Sequence, residues 1–246
     1  MTWLIERCAG SAADFHARDL PGGDGAHVWV FEVDRPALAL GSSQPESDVD
    51  AEACRRAGVE IVRRRSGGGA VLLVPGEIAW IDVIIPPGHR LWSDDVLRAG
   101  HWLGLLWIET LRTIAPTDLT GPVPSGRAAA VDVEEPLWAV HEGPMLTTAW
   151  SRRVCFDGLG PGEVVRAGAK AVGAKAVAAK AVGVSQRRTR RGARFQTAIH
   201  HRWNPEMMVG LLAAPPVAVP DLRPVVEIPA TPAAIAAALV EQIERV

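Results

Sequence analysis

RRRSGGGAV, residues 63–71, is the stretch on which the reading of this chain turns. The β-formers of VEIV, starting at Val59, run straight into it, and the apolar AVLLV follows it. The order is therefore strand, glycine loop, strand. Three successive glycines let a backbone approach a ligand closely with its N–H groups turned inward, and the flanking arginines carry forked donors suited to phosphate or carboxylate. Two familiar nucleotide loops do not fit. A P-loop needs Lys and Ser or Thr after its last glycine, and the dinucleotide fingerprint opens a helix, whereas a strand follows here. An anion site and a plain glycine-rich hairpin with solvated arginines both satisfy the pattern.

Upstream, HVWVFEV (27–33) alternates and LALG (38–41) stays extended, which predicts two strands around a turn at Asp34–Pro36. A short helix over DVDAEACRRAG (48–58) would start at an Asp48 cap and close at Gly58. Downstream, IAWIDVII (78–85) predicts a further strand. Residues 93–114, capped by Ser93 or Asp94, carry an apolar face broad enough for a central buried helix. Residues 115–127 read as loop, and the region to 167 as short strands joined by turns. Strands outnumber helices without alternating with them, so the fold class is α+β with a mixed, largely antiparallel sheet and packed helices. Residues 1–213 read as one catalytic domain, and 214–246 as a Pro-rich connector plus a helix from Thr231, too small for a second domain.

Composition narrows the function classes. The chain has 246 residues, 48% of them hydrophobic, and balances 26 basic against 28 acidic side chains for a formal charge of -2. Nothing global draws it to nucleic acid or an anionic membrane. No apolar run approaches the roughly 18 residues of a membrane span, and the N-terminus lacks a signal-peptide pattern, so a cytoplasmic location is expected. Cys8, Cys54 and Cys155 are too scattered for a disulfide framework or a zinc site, and no metal site is expected.

Lys170, Lys175 and Lys180 are the only lysines, and they recur every five residues in AKAVGAKAVAAKAVG (169–183). Five is odd, so neighbouring lysines of a strand would face opposite sides, and one pocket cannot receive all three. Lys180 is the candidate, because only its unit leads directly into Gly183, Ser185, Gln186 and the arginines. A lysine there would follow a carboxylate as it becomes an acyl phosphate. QRRTRRGAR (186–194) holds five arginines without interleaved aromatics, which suits a solvated hairpin turn or a dock for an acidic partner better than nucleic acid. In RRVCFDGLGPGE (152–163), Cys155 is either a nucleophile with its thiolate favoured by Arg152 and Arg153 or a small core residue. His200 and His201 would point oppositely in a strand and so form no joint metal site.

Taken in order, LALGSSQPESDVD (38–50), RRRSGGGAV and, over a hundred residues later, KAVGVSQRR (180–188) resemble the lipoate-protein ligase A family of the biotin and lipoate ligase superfamily, whose fold is similar to class II synthetase cores. The resemblance spans roughly residues 27–205. It implies that Arg64 contacts an acyl adenylate, that Ser66, Gly67, Gly68, Gly69, Ala70, Val71 and Leu72 wrap nucleotide and acyl chain, and that Lys180 and Gly183 form the K-x-x-G motif at the activated carboxyl. A tunnel lined by Val71, Leu72 and Trp80 would take the acyl tail. The implied reaction joins lipoate or octanoate to ATP, with Mg2+, and passes the acyl group to a lysine of a lipoyl carrier domain of 2-oxoacid dehydrogenase or glycine cleavage proteins.

Two departures leave alternatives open. Leu72, Leu73 and Val74 stand where the family carries an aromatic or Leu followed by His-Asp, and the chain stops after one helix where the bacterial ligases carry an accessory domain. VCFDGLGPGE (154–163) is similar to a segment of octanoyltransferases, which implies Cys155 as an acyl-accepting nucleophile, acyl carrier protein as donor and no ATP. The remaining alternative is a noncatalytic binder of a lipoyl or biotinyl domain.

Overall fold

The computed structural model describes residues 2–115, 137–166, 178–213, 219 and 222–246. In chain order the elements are β1 (Trp3–Gly10), α1 (Ala12–Ala17), β2 (Ala26–Val33), β3 (Ala37–Leu40), α2 (Ala51–Arg56), β4 (Glu60–Arg63), β5 (Val71–Leu73), β6 (Ile78–Ile85), α3 (His101–Ile114), β7 (Trp138–Val140), β8 (Val164–Arg166), β9 (Ala179–Thr189), β10 (Gly192–His200), α4 (Pro205–Gly210) and α5 (Pro232–Glu244). Seven strands form one sheet in the order β1-β2-β6-β10-β9-β8-β7, and β4-β3-β5 form a smaller one. β1 with β2 and β3 with β4 are parallel pairs, and the other pairs are antiparallel. The fold is the α+β class expected, with a mixed and mainly antiparallel sheet.

Period-two alternation sorts the side chains of the large sheet onto two faces. Ile81, Val83 and Ile85 of β6 and Phe195 and Ile199 of β10 face α3 and α5, where Trp107, Leu111, Leu239 and Ile243 complete the main core. Helix α5 is thus an integral layer of this core. Trp80 and Ile84 of β6 face the other way, packing with Trp29, Phe31 and α1 against Ala39 and Leu73 of the small sheet. The outer face of the small sheet, Leu38, Leu40 and Leu72, is covered by Trp150 and by Cys54 of α2 and Met208 of α4.

Several boundaries differ from the sequence reading. The central helix starts at His101 behind Gly100. Asp95 accepts from the backbone N–H of Leu97 at 2.9 Å, fixing a turn where a cap at Ser93 or Asp94 was expected. Asp50, not Asp48, caps α2 by accepting from Ala53 N. β2 and β3, read as neighbours around a turn, enter different sheets. β1 and α1 were absent from the sequence reading; β1 forms the edge of the large sheet beside β2. The arginine run forms the β9–β10 hairpin, with Arg190 and Arg191 exposed at its turn.

One buried ion pair fastens α1 to the large sheet. Asp82 of β6 accepts from Arg194 Nε of β10 at 2.5 Å and from Trp80 Nε1 at 2.7 Å. The same guanidinium donates to the carbonyls of Phe15 and Arg18 at the end of α1, at 2.8 and 3.0 Å. Burial pushes the Asp82 carboxyl up, and Arg194 works against that shift. Removing one partner strands the other charge in the core. Arg194→Met should therefore lower the free energy of unfolding by about 3–5 kcal/mol in denaturant titrations. Arg35→Ala, which breaks an exposed pair with Asp34, should change it by less than about 1 kcal/mol.

Candidate active site

The glycine loop is held by close backbone contacts that tolerate no side chain. Gly68 sits at φ +99°, and a Cβ on Gly41 would lie 1.8 Å from its carbonyl oxygen. A Cβ on Gly69 would lie 2.8 Å from Val154 N and 2.9 Å from Cys155 N. That contact lets Ala70 pair with the Cys155 segment: Ala70 N–H donates to Arg153 O at 2.8 Å and Cys155 N–H to Ala70 O at 2.9 Å. Arg64, buried beneath the loop, donates from Nη1 to Ser66 Oγ at 3.1 Å and from Nη2 to Gly69 O at 2.9 Å and Cys155 Sγ at 3.5 Å. Its Nε–H is buried without a partner among the described residues. Gly67 lies exposed at the loop's outer edge.

Lys180 lies on the other side of the same cysteine. Its side chain is 1% exposed, and Nζ is 2.7 Å from Glu163 Oε1. Nζ also donates to the carbonyls of Cys155 and Gly158, each at 3.2 Å, and lies 5.0 Å from the centre of the Phe156 ring. Glu163 in turn accepts from Gly160 N at 2.7 Å and Val184 N at 3.1 Å. In a regular strand Lys180 would share the face of Val182 and Val184, which pack toward the helices. The register against β8 moves instead from Val164↔Val182 to Val165↔Lys180, leaving Ala181 as an extra residue. This bulge turns Lys180 to the face carrying Gly183, whose own Cβ would stand 3.2 Å from Phe156. Lys170 and Lys175 lie outside the described residues.

Between the sheets lies a small, half-open pocket, into which Cys155, Arg64 and Gly183 converge with Val71, Leu73 and Trp80. The expected tunnel residue Leu72 is not there. It packs on the outer face with Leu38 and Trp150, because a one-residue step along β5 reverses the side chain, and Leu73 takes its place. The ammonium of Lys180 holds the wall behind Cys155, whereas the sequence reading placed it on an anion cradled by the loop.

Three further pocket groups escaped the sequence reading. Ser185 Oγ donates to Ser66 Oγ at 3.1 Å, and Ser66 Oγ donates to Gln196 Oε1 at 2.9 Å. Gln196 Nε2 lies 3.4 Å from Nδ1 of His16, whose ring lies 4.4 Å from that of Trp80. Burial, with Arg194 and Arg64 nearby, pushes His16 down to about 3. Glu163 carried the one usable sequence signal, an acid closing a glycine-rich turn before the lysines. His16 and Gln196 carried none, since nothing local ties residues 180 positions apart.

Comparison with known proteins agrees with this architecture. Residues 13–101, which contain the glycine loop, match the family model described as the lipoyl protein ligase A/B catalytic domain. That match, over just over a third of the chain, is to the same family that the motifs resemble. No curated protein matches the chain by sequence. Among solved structures, the chain is similar to a bipartite lipoate protein ligase with its E2 lipoyl domain from Thermoplasma acidophilum, at TM-score 0.66 and 14% identity over 99% of this chain and 82% of that one. Lipoate-protein ligase A bound with ATP gives 0.62 and 14% over 99% and 83%. A T. acidophilum protein with bound lipoic acid gives 0.61 and 15% over 99% and 84%. These likenesses show the lipoate-ligase fold for the described residues.

The buried histidines carry a pH signature. His200, packed against Phe156 and Trp203, is pushed down to about 3 by burial, with Lys180 adding to the shift. In the unfolded chain both His16 and His200 return to ordinary histidine values near 6.5. The unfolded state therefore binds more protons between pH 6.5 and 3, and stability falls as pH drops through that window. Each histidine should contribute a loss of up to about 1.4 kcal/mol per pH unit below 6.5. Denaturant unfolding at pH 7 and pH 5 should show this loss, reduced in a His16→Gln variant.

Proposed function

We propose that this protein transfers a medium-length acyl group to a lysine of a lipoyl carrier domain through a thioester on Cys155. The observation that carries the reading is the placement of Cys155 at an apolar pocket, with Arg64 donating to its sulfur and Lys180 fixing its carbonyl. The pocket suits an acyl chain. The Arg64 guanidinium, which donates to the Cys155 sulfur, supplies positive charge beside the carbonyl oxygen that turns negative on attack.

The steps balance without a further reactant. The Cys155 sulfur attacks the carbonyl carbon of an acyl thioester, the new S–C bond forms as the donor's S–C bond breaks, and the Cys155 proton leaves on the donor thiol. The acceptor lysine, as free amine, then attacks the Cys155 thioester. A C–N bond forms, the S–C bond breaks, and the amine proton returns to Cys155. A lipoyl domain as acceptor is supported by the similar bipartite ligase, which was solved with its E2 lipoyl domain. The exposed Arg190 and Arg191 at the β9–β10 turn offer positive charge to an acidic partner.

A second reading, activation of lipoate or octanoate as an adenylate with ATP and Mg2+, draws on the likeness to a ligase solved with ATP. The described residues suit the triphosphate poorly. Lys180 is committed to Glu163 and two carbonyls.

Incubation with octanoyl carrier protein, followed by peptide mass mapping, should show an octanoyl addition on Cys155. Adding a lipoyl domain should move it to a lysine of that domain. Cys155→Ala should lower transfer at least a thousandfold. Octanoate-dependent exchange of labelled pyrophosphate into ATP, with no addition on Cys155 and undiminished ligation by Cys155→Ala, would overturn the covalent reading in favour of the adenylate.

A further inference from the structure

The acyl pocket contains a polar group that the transfer chemistry leaves unused. His16 is 6% exposed, lines the pocket, and is carried by α1, whose C-terminal end Arg194 fastens to the sheet. Its tautomer follows from its neighbour. The Gln196 amide nitrogen has only protons to offer, so Nδ1 accepts from it and the imidazole proton resides on Nε2. Gln196 is itself oriented by the Ser66 hydroxyl, which donates to its oxygen, and by Asp82, which accepts from its nitrogen at 3.5 Å. His16 Nε2–H is buried, yet no acceptor meets it among the described residues.

The position of His16 gives that donor a meaning. Cys155 and Gly183 stand at the β9 side of the pocket, while His16 lies beside Trp80 of β6, across β10. Two strand spacings, roughly 10 Å, separate β9 from β6. An acyl chain attached at Cys155 and running across β10 over Ala198 brings its far end to Trp80 and His16. A plain alkyl end would fill the space and seal the donor away from any acceptor, at a cost. An oxygen at that end would satisfy it.

Building on the transfer reading above, we propose that His16 is a specificity-determining residue: its Nε2–H selects acyl chains whose far end carries a hydrogen-bond acceptor oxygen over plain alkyl chains of the same length. Selection rests on a neutral donor. Burial keeps the ring uncharged at neutral pH, so an anionic end is not what the site is built for.

Binding of the free acids to the full chain tests this independently of transfer. Octanoic and ω-hydroxyoctanoic acids, titrated calorimetrically, should differ by about tenfold in Kd in favour of the hydroxy acid. His16→Phe, which keeps a flat ring without the N–H, should abolish or reverse the preference. His16→Gln, which retains a donor, should keep part of it, and both variants should be checked for native thermal unfolding. Equal affinities in the unaltered protein, an unchanged ratio in His16→Phe, or no binding of either acid would overturn the proposal. A tenfold preference without acylation of Cys155 would uphold this role for His16 while defeating the transfer reading.

Discussion

The structure depends on one close approach, the docking of the glycine loop against the Cys155 segment. Because Gly69 has no Cβ, Ala70 exchanges two backbone hydrogen bonds with Arg153 and Cys155. Because Gly41 has none, the Gly68 carbonyl passes within contact distance of its α-carbon side. These contacts close the pocket between the two sheets and bring Cys155 to Arg64. Of the three glycines, Gly69 acts through backbone proximity and Gly68 through its positive φ, whereas a Cβ on Gly67 would meet open space. The Ala70 amide, one of those expected to cradle an anion, serves instead to build the wall that presents the cysteine.

Lys180 extends the same wall. A buried ammonium is tolerable only when its charge and all three donors are met, and Glu163 with two carbonyls does so. Those carbonyls belong to Cys155 and Gly158, so the lysine fixes the turn that carries Cys155. The bulge at Ala181 makes this possible by placing Lys180 and Gly183, three residues apart, on one face of β9. Opposite, the Asp82–Arg194 pair secures α1 and with it His16. The pocket thus has Cys155 and Gly183 at its β9 side and His16 beside Trp80 at its β6 side, with Gln196 and Ala198 of β10 between them.

Much of this was legible in particular residues. The alternation of 27–33 and 78–85 named the strands because a half-buried sheet demands period two. LALGSSQPESDVD, the glycine triplet between two strands and the last lysine unit, in that order, carried the resemblance from which the fold was read. Boundaries governed by local side-chain competition were less legible: Asp95 took a turn where a helix was expected to start, and Asp50 took the cap expected at Asp48. Leu72 and Leu73 could not be assigned to a face without knowing the register of β5 against β3.

By itself, the sequence determined most of the strands and the α+β class, and it singled out the candidate side chains, because periodicity, glycine and charge act over a few residues. Tertiary structure decided what each of those side chains faces. The bulge that turns Lys180, the exchange of Leu73 for Leu72, and the meeting of His16 with Gln196 all depend on strands and loops distant along the chain packing at fixed register. Hydrogen bonds across such distances leave no local pattern to read, yet they determine which polar atoms are satisfied and which, like His16 Nε2, remain for a ligand.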